Sequence, residues 1–337
     1  MKKSANKTIF FVIILAIIIV VIGIYFGKGE ENTPTANNNS DSSVQSQSQS
    51  DSEKNAFKGS IVYLVKSTNG SDIYKSDMEG NAKKVYTDSD ESLKIKSAYS
   101  MNTSGKILAV LAPAGQEFGG SLFLIDSNNP GQKEKIIDQF ASTQAPILSP
   151  NGKKIAYTIF SNTEADYGFS LYVMNIDGSN KQKISTDQVS VKILSWNSDS
   201  NKIAYLKGDN FKESVIYSAD LNAHEQKIIS FKEKIYSLNW HDDNFVLSKG
   251  SGSENELNKA EIYKLGSSGK NLKRLTTDDT HDDFCLFSPT GQGVVFLSAS
   301  YDKNVDITKS GEITLLNIED NKSKKLIEAN YIIGWIE

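Results

Sequence analysis

Residues 145–189 read APILSPNGKKIAYTIFSNTEADYGFSLYVMNIDGSNKQKISTDQV, and four β-prone pieces can be cut from them. APILS is a short apolar strand. SPNG is a turn, with Pro150 fixing φ and Gly152 free to take positive φ. KKIAYTIF and SLYVMNI are two longer runs separated by a polar loop, and DGSN is a second turn before KQKIST. Four short antiparallel strands in about 45 residues make one blade of a β-propeller.

The same unit recurs along the chain. Third strands align as DIYKSDMEG (72–80), SLFLIDSNN (121–129), SLYVMNIDG (170–178), VIYSADLNA (215–223), EIYKLGSSG (261–269) and EITLLNIED (312–320). Their aliphatic second residues lie 45 to 51 positions apart, as blades with variable surface loops require. Fourth strands carry a base directly before an aliphatic residue: Lys84, Lys135, Lys183, Lys227, Arg274 and Lys325. Such a row invites reading as a basic binding stripe. Protection of outer blade edges against edge-to-edge pairing is the simpler explanation.

First and second strands supply a third register, clearest in LSPNGKKIAY (148–157) and FSPTGQGVVF (287–296). Their near-continuous apolar cores suit strands covered on both faces. The repeat region opens at FKGSIVYLVKS (57–67), a second strand lacking its first. It closes at YIIGWIE (331–337), a first strand lacking its second. Pairing 331–336 with 60–66 completes the first blade and closes the ring. The expectation is therefore an all-β, six-bladed propeller over 57–337, closed by the C-terminal strand.

SPNGKKIAY followed by LYVMNIDGSNKQKIS resembles the repeat of the TolB-type (WD-like) propellers, with W-S-P-D-G-x-x-I-A-F, I-Y-x-M-D-x-D-G and x-x-L-T elements. The tryptophan position is kept at Trp196, Trp240 and Trp335. This resemblance covers 57–337 and implies a fold. No counterpart of the α/β domain that precedes the propeller in TolB is expected.

Ahead of the repeats, residues 9–26 are apolar throughout, and at ~1.5 Å per residue they span ~27 Å, near the bilayer core. Lys2, Lys3 and Lys7 precede the run. The positive-inside rule then makes 1–8 a cytoplasmic N-terminus, 9–27 an uncleaved signal-anchor, and everything after it extracytoplasmic. A cleaved signal peptide is the alternative, but the run is long and ends without a small-x-small site. Residues 28–56 are Ser, Asn, Gln, Thr and Glu with almost nothing to bury, a disordered linker.

Among 337 residues there is one cysteine, Cys285, in the apolar run DFCLF, so no internal disulfide can form. Net charge is −4, and Arg274 is the one arginine. That equips the chain poorly for reading phosphate or bases, so nucleic acid is not an expected partner.

For chemistry, the sequence holds no G-x-S-x-G, Walker loop or H-E-x-x-H. His281 opens an HDD tripeptide in TTDDTHDDF (276–284), before a first strand and so near one mouth of the channel. Asp278, Asp279, His281, Asp282 and Asp283 form a candidate Ca²⁺ cluster. Solvated turn carboxylates are the plainer reading, and no other cofactor is implied. Longer insertions between second and third strands bring Tyr167, Phe169 and Tyr301 forward as binding-loop candidates, unless those rings pack on their own blade. The leading expectation is a non-enzymatic scaffold on the outer side of the cell membrane, holding a protein or envelope component. The alternative is a propeller enzyme or small-ligand or metal binder using the channel mouth.

Overall fold

A computed structural model describes residues 57–67, 70–88, 93–116, 119–140, 146–162, 167–185, 194–207, 213–250, 259–278, 280–300 and 310–337. The expected anchor (9–27) and linker (28–56) lie outside the described residues. Those described form an all-β propeller without a helix, and hence with none long and apolar enough to cross a membrane.

The strands follow one another as a repeated meander. β1 (Ser60–Ser67), β2 (Gly70–Ser76) and β3 (Ala82–Thr87) come first. β4 (Lys94–Met101), β5 (Lys106–Ala112), β6 (Gly120–Asp126) and β7 (Lys133–Phe140) follow. Next are β8 (Ile147–Leu148), β9 (Lys154–Asn162), β10 (Tyr167–Asn175) and β11 (Gln182–Lys183). β12 (Leu194–Trp196), β13 (Lys202–Lys207), β14 (Ser214–Asp220) and β15 (Glu225–Phe231) make a further unit. Then come β16 (Ile235–His241), β17 (Asn244–Gly250), β18 (Ala260–Gly266) and β19 (Lys273–Arg274). The chain ends with β20 (Thr280–Phe287), β21 (Gly293–Ser300), β22 (Gly311–Asn317), β23 (Ser323–Ala329) and β24 (Tyr331–Ile336).

Four sheets have four strands each, and one has eight. In the large sheet, β16–β19 and β20–β23 are joined, among the described residues, by a single parallel pair, Ala260 opposite His281. β24 pairs antiparallel with β1, Trp335 opposite Ile61 and Ile336 opposite Ser60, as the two half-blades at the chain ends demand. Trp335 Nε1 also donates to the Lys58 carbonyl at 2.7 Å.

Core residues lie between successive units rather than within them. Each of six apolar clusters straddles two neighbours. One holds Ile61, Tyr63, Ile332 and Trp335 against Val295, Leu297, Ile313 and Leu315, so the last unit packs on the first. The recurrent I-A-Y and L-Y-V pieces acquire a purpose here. Tyr63–Tyr74, Tyr157–Tyr172 and Tyr205–Tyr217 are cross-strand pairs with ring centroids 5.7, 5.8 and 6.3 Å apart. Such pairs add about 0.5–1.5 kcal/mol beyond area burial.

The sequence reading overstated one element. Regular ladder pairing of KQKIST is confined to Gln182 and Lys183: the Ile184 N–H still donates to the Leu171 carbonyl at 2.8 Å, but Ser185 Oγ accepts the Leu171 N–H at 2.9 Å, and a hydroxyl thereby replaces the next ladder carbonyl. In β18–β19 the same substitution occurs: Thr276 Oγ1 accepts from Ile262 N at 2.9 Å. At the turn of 149–154 the sequence reading was apt. Gly152 has φ +71°, and a Cβ there would lie 2.6 Å from Asn102 Nδ2.

Candidate functional site

Antiparallel meanders put the starts of first and third strands on one face, together with the ends of second and fourth strands. On that face the row of fourth-strand bases finds its partners. Lys84 meets Asp72 at 2.7 Å, Arg274 meets Glu261 at 2.6 Å and Lys325 meets Glu312 at 2.7 Å. Each carboxylate directly precedes the aliphatic residue of its third strand. Lys135 pairs instead with Asp138 on its own strand, at 3.6 Å. These four bases are therefore cross-strand and local partners, not members of an open basic stripe. Lys84 and Lys325 are largely in solvent, so water and salt screen both pairs and neither is a major source of stability.

Glu261 differs from its counterparts because its side chain is fully buried. Its Oε1 accepts from Arg274 Nη2, and its Oε2 from Thr276 Oγ1 at 2.8 Å. Arg274 Nε also donates to the Thr276 carbonyl at 2.7 Å, which holds the guanidinium in place. Beside this group lie Asp278, exposed, and Asp282, fully buried. Glu261, Asp278 and Asp282 bring one carboxylate oxygen each within 4.8 Å of one another.

Asp282 Oδ1 accepts from Thr280 Oγ1 and from Ser298 Oγ, both at 2.8 Å. Thr280 Oγ1 also contacts Asp278 Oδ1. A hydroxyl has one hydrogen, so it can serve only one of the two carboxylates at a time. Asp282 Oδ2 is buried with no hydrogen-bond partner among the described residues. Burial pushes the Asp282 carboxyl up to about 6. The Asp278 charge adds to the rise, and the hydroxyls of Thr276, Ser298 and Thr280 oppose it.

The other candidates separate. β20 begins at Thr280, so His281–Asp283 belong to a strand and not to the loop expected from the sequence. His281 is buried, edge-on to the Tyr236 ring at 4.8 Å, with Nε2 4.0 Å from Asp283 Oδ2. Alternation along the strand turns it away from Asp282. Asp283 Oδ1 accepts from the Phe284 amide at 2.7 Å. Phe169 is half-buried, its ring 5.0 Å from that of Phe160 on the paired strand, so it packs on its own unit. Tyr167 opens β10, backbone-paired with Asn162. Asp279 and Tyr301 lie outside the described residues.

Glu261, Arg274 and Ser298 were missed because they belong to other strands than the HDD tripeptide, and Thr276, in the segment after β19, because only the acidic residues and the histidine of its run were read as ligands. A signal was available: Glu261 occupies the same repeat position as Asp72 and Glu312. Cys285, buried, has a thiol pushed up to about 12 by burial, with Ser237 Oγ 3.4 Å from Sγ.

The model of the TolB beta propeller domain family matches residues 50–307. This chain belongs to the TolB β-propeller family. Among solved structures it is similar to TolB from Acinetobacter baumannii, at 19% identity and TM-score 0.61, covering 83% of this chain and 67% of that one. It is also similar to a putative TolB from Agrobacterium tumefaciens, at 15% identity and TM-score 0.57, covering 80% and 89%. A puromycin-hydrolyzing peptidase of Mycobacterium tuberculosis shares 12% identity at TM-score 0.52, covering 80% of this chain and 45% of that one. At these identities the likeness is one of fold. TolB-type repeats explain the S-P-N-G and D-G-S-N turns, and the carboxylate cluster lies outside those motifs.

Proposed function

We propose that the chain is an exported TolB-type propeller of six blades, held on the outer side of the cell membrane by residues 9–27. In this reading it works as a non-enzymatic scaffold for a protein or cell-envelope component. Each small sheet supplies one blade, and the large sheet supplies two, because its halves meet in one backbone pair. The apolar run with lysines before it, followed by the polar stretch to residue 56, supports export and anchoring.

The observation that carries the scaffold reading is the contrast between the two faces. On one, successive strands are joined by short turns tied by side chains. The Asn102, Asn151 and Asn197 carboxamides accept neighbouring amides, as do the carboxylates of Asp77, Asp126, Asp177 and Asp220. On the other, nine residues separate β17 from β18 and ten separate β21 from β22. Variable connections on a rigid frame are where recognition is built. Leu272 is the one large apolar side chain strongly exposed among the described residues. The described part of the surface is thus suited to polar recognition.

In-cell crosslinking of the full chain, followed by purification in detergent, tests this. The scaffold reading expects one envelope-derived species at near-stoichiometric recovery. Recovery of the chain alone with crosslinkers of several lengths overturns it. Turnover of an envelope glycan or peptide by the purified chain would favour the enzyme reading.

A further inference from the structure

We propose that Glu261, Asp278 and Asp282 form a divalent-cation site of the hard, oxygen-preferring class, Ca²⁺ first, which clamps the two four-stranded units that meet at Ala260 and His281. Among the described residues, those two make the one backbone pair between the halves of the large sheet, and Glu261 and Asp282 are the next residues along each strand. The site thus spans β18 on one unit, β20 on the next, and the segment between β19 and β20. Three carboxylate oxygens all within 4.8 Å of one another lie no more than about 2.8 Å from a common point, so small side-chain shifts bring them to the roughly 2.3–2.6 Å at which Ca²⁺ is held.

Charge and hydrogen bonding point the same way. Three carboxylates and the Arg274 guanidinium leave two negative charges when all are ionised, which a divalent ion cancels. Lys325, whose charge Asp278 also feels, is already paired with Glu312 at 2.7 Å. Asp282 Oδ2 is an independent pointer: among the described residues this fully buried carboxylate oxygen has no donor within hydrogen-bond distance, while its partner oxygen is reached by the hydroxyls of Ser298 and, in competition with Asp278, Thr280. An unpaired buried carboxylate oxygen is costly, and a cation supplies the missing partner. Asp278 is exposed, so the ion enters from solvent. Thr280 and Ser298 hydroxyls orient Asp282 from behind.

The test is thermal unfolding of the full chain in detergent after EDTA treatment, with Ca²⁺, Mg²⁺ or Mn²⁺ added to about 10 mM, above the range of weak extracellular sites. KCl at matched ionic strength is the control. Ca²⁺ at 100-fold excess over its Kd is expected to raise Tm by roughly 5 °C. Asp278→Asn, a surface change that should fold normally, is expected to shift the Ca²⁺ midpoint about tenfold upward. Asp282→Asn is expected to abolish the response and, without ions, to melt above the parent because a buried charge has gone. Glu79→Gln, exposed and remote in the fold, should respond like the parent. No ion-specific rise with any of the three, or an undiminished rise in both Asp variants, overturns the proposal. Loss of stability in Asp282→Asn without ions also counts against it, since a purely structural carboxylate predicts that. A protonated Asp282 or a buried water would satisfy Oδ2 as well, and either predicts no ion response.

Discussion

Truncating Trp335 to alanine should weaken the whole ring and not just its last strand. The ring is buried to 8% exposure, lies 6.5 Å from Phe57 between centroids, and shares a cluster with Ile61, Tyr63, Val295 and Leu297. Removing a buried tryptophan costs about 3–5 kcal/mol, and the lost bond to the Lys58 carbonyl is within that figure. Against a typical net stability of about 5–15 kcal/mol, this is a large fraction. Trp335→Phe keeps most of the packing and loses the donor, so it should cost about 1–2 kcal/mol. Urea unfolding of the full chain followed by far-ultraviolet circular dichroism separates the cases, since fluorescence would change with the residue itself. If β24 closes the ring, the main transition moves to lower urea with an unchanged slope. A main transition left in place, with a small early step from a frayed β24, would refute the closure argument. So would a cost below 1 kcal/mol.

Three further outcomes are expected. Arg274→Ala leaves the fully buried Glu261 without its guanidinium and should cost about 3 kcal/mol, most of it recovered in the double variant with Glu261→Gln; thermal denaturation of the set checks it. Asp126, held down to about 2 chiefly by the hydrogen bond from Lys106, contributes stability that stands above pH 4 and fades as pH falls toward 2. Asp126→Asn should therefore lose about 1 kcal/mol at pH 7, with its stability–pH curve converging on the parent's in acid. Cys285 should stay unreactive toward a thiol reagent at pH 8 in the native chain, because burial keeps its thiol protonated, and should react at once in denaturant; native reactivity at a free-thiol rate would contradict its placement.

The architecture was legible because it repeats. Strand order, the base before each fourth-strand aliphatic residue, and the β24–β1 closure all follow from local patterns seen several times over. Strand lengths were less legible. Ser185 and Thr276 end their ladders by lending a hydroxyl to a third-strand amide, an event that depends on side-chain direction and not on composition. The carboxylate cluster was half legible. Asp278 and Asp282 stand in a conspicuous acidic run, yet Glu261 joins them only because β18 and β20 touch at Ala260 and His281. The same contact buries His281 against Tyr236, although it reads in sequence like a loop ligand. Phe169 likewise reads as an anchor until its cross-strand partner Phe160 is known.

The most direct test of a scaffold that works through its longer connections is face-resolved photocrosslinking of the full chain in its own cells. Photoreactive residues would replace Glu213 and Lys232 on the face bearing those connections, and Glu79 and Asn180 on the face of tight turns. The prediction is a discrete crosslinked species from the first pair and none from the second. Crosslinks from the tight-turn face alone, or none from any position, would contradict it.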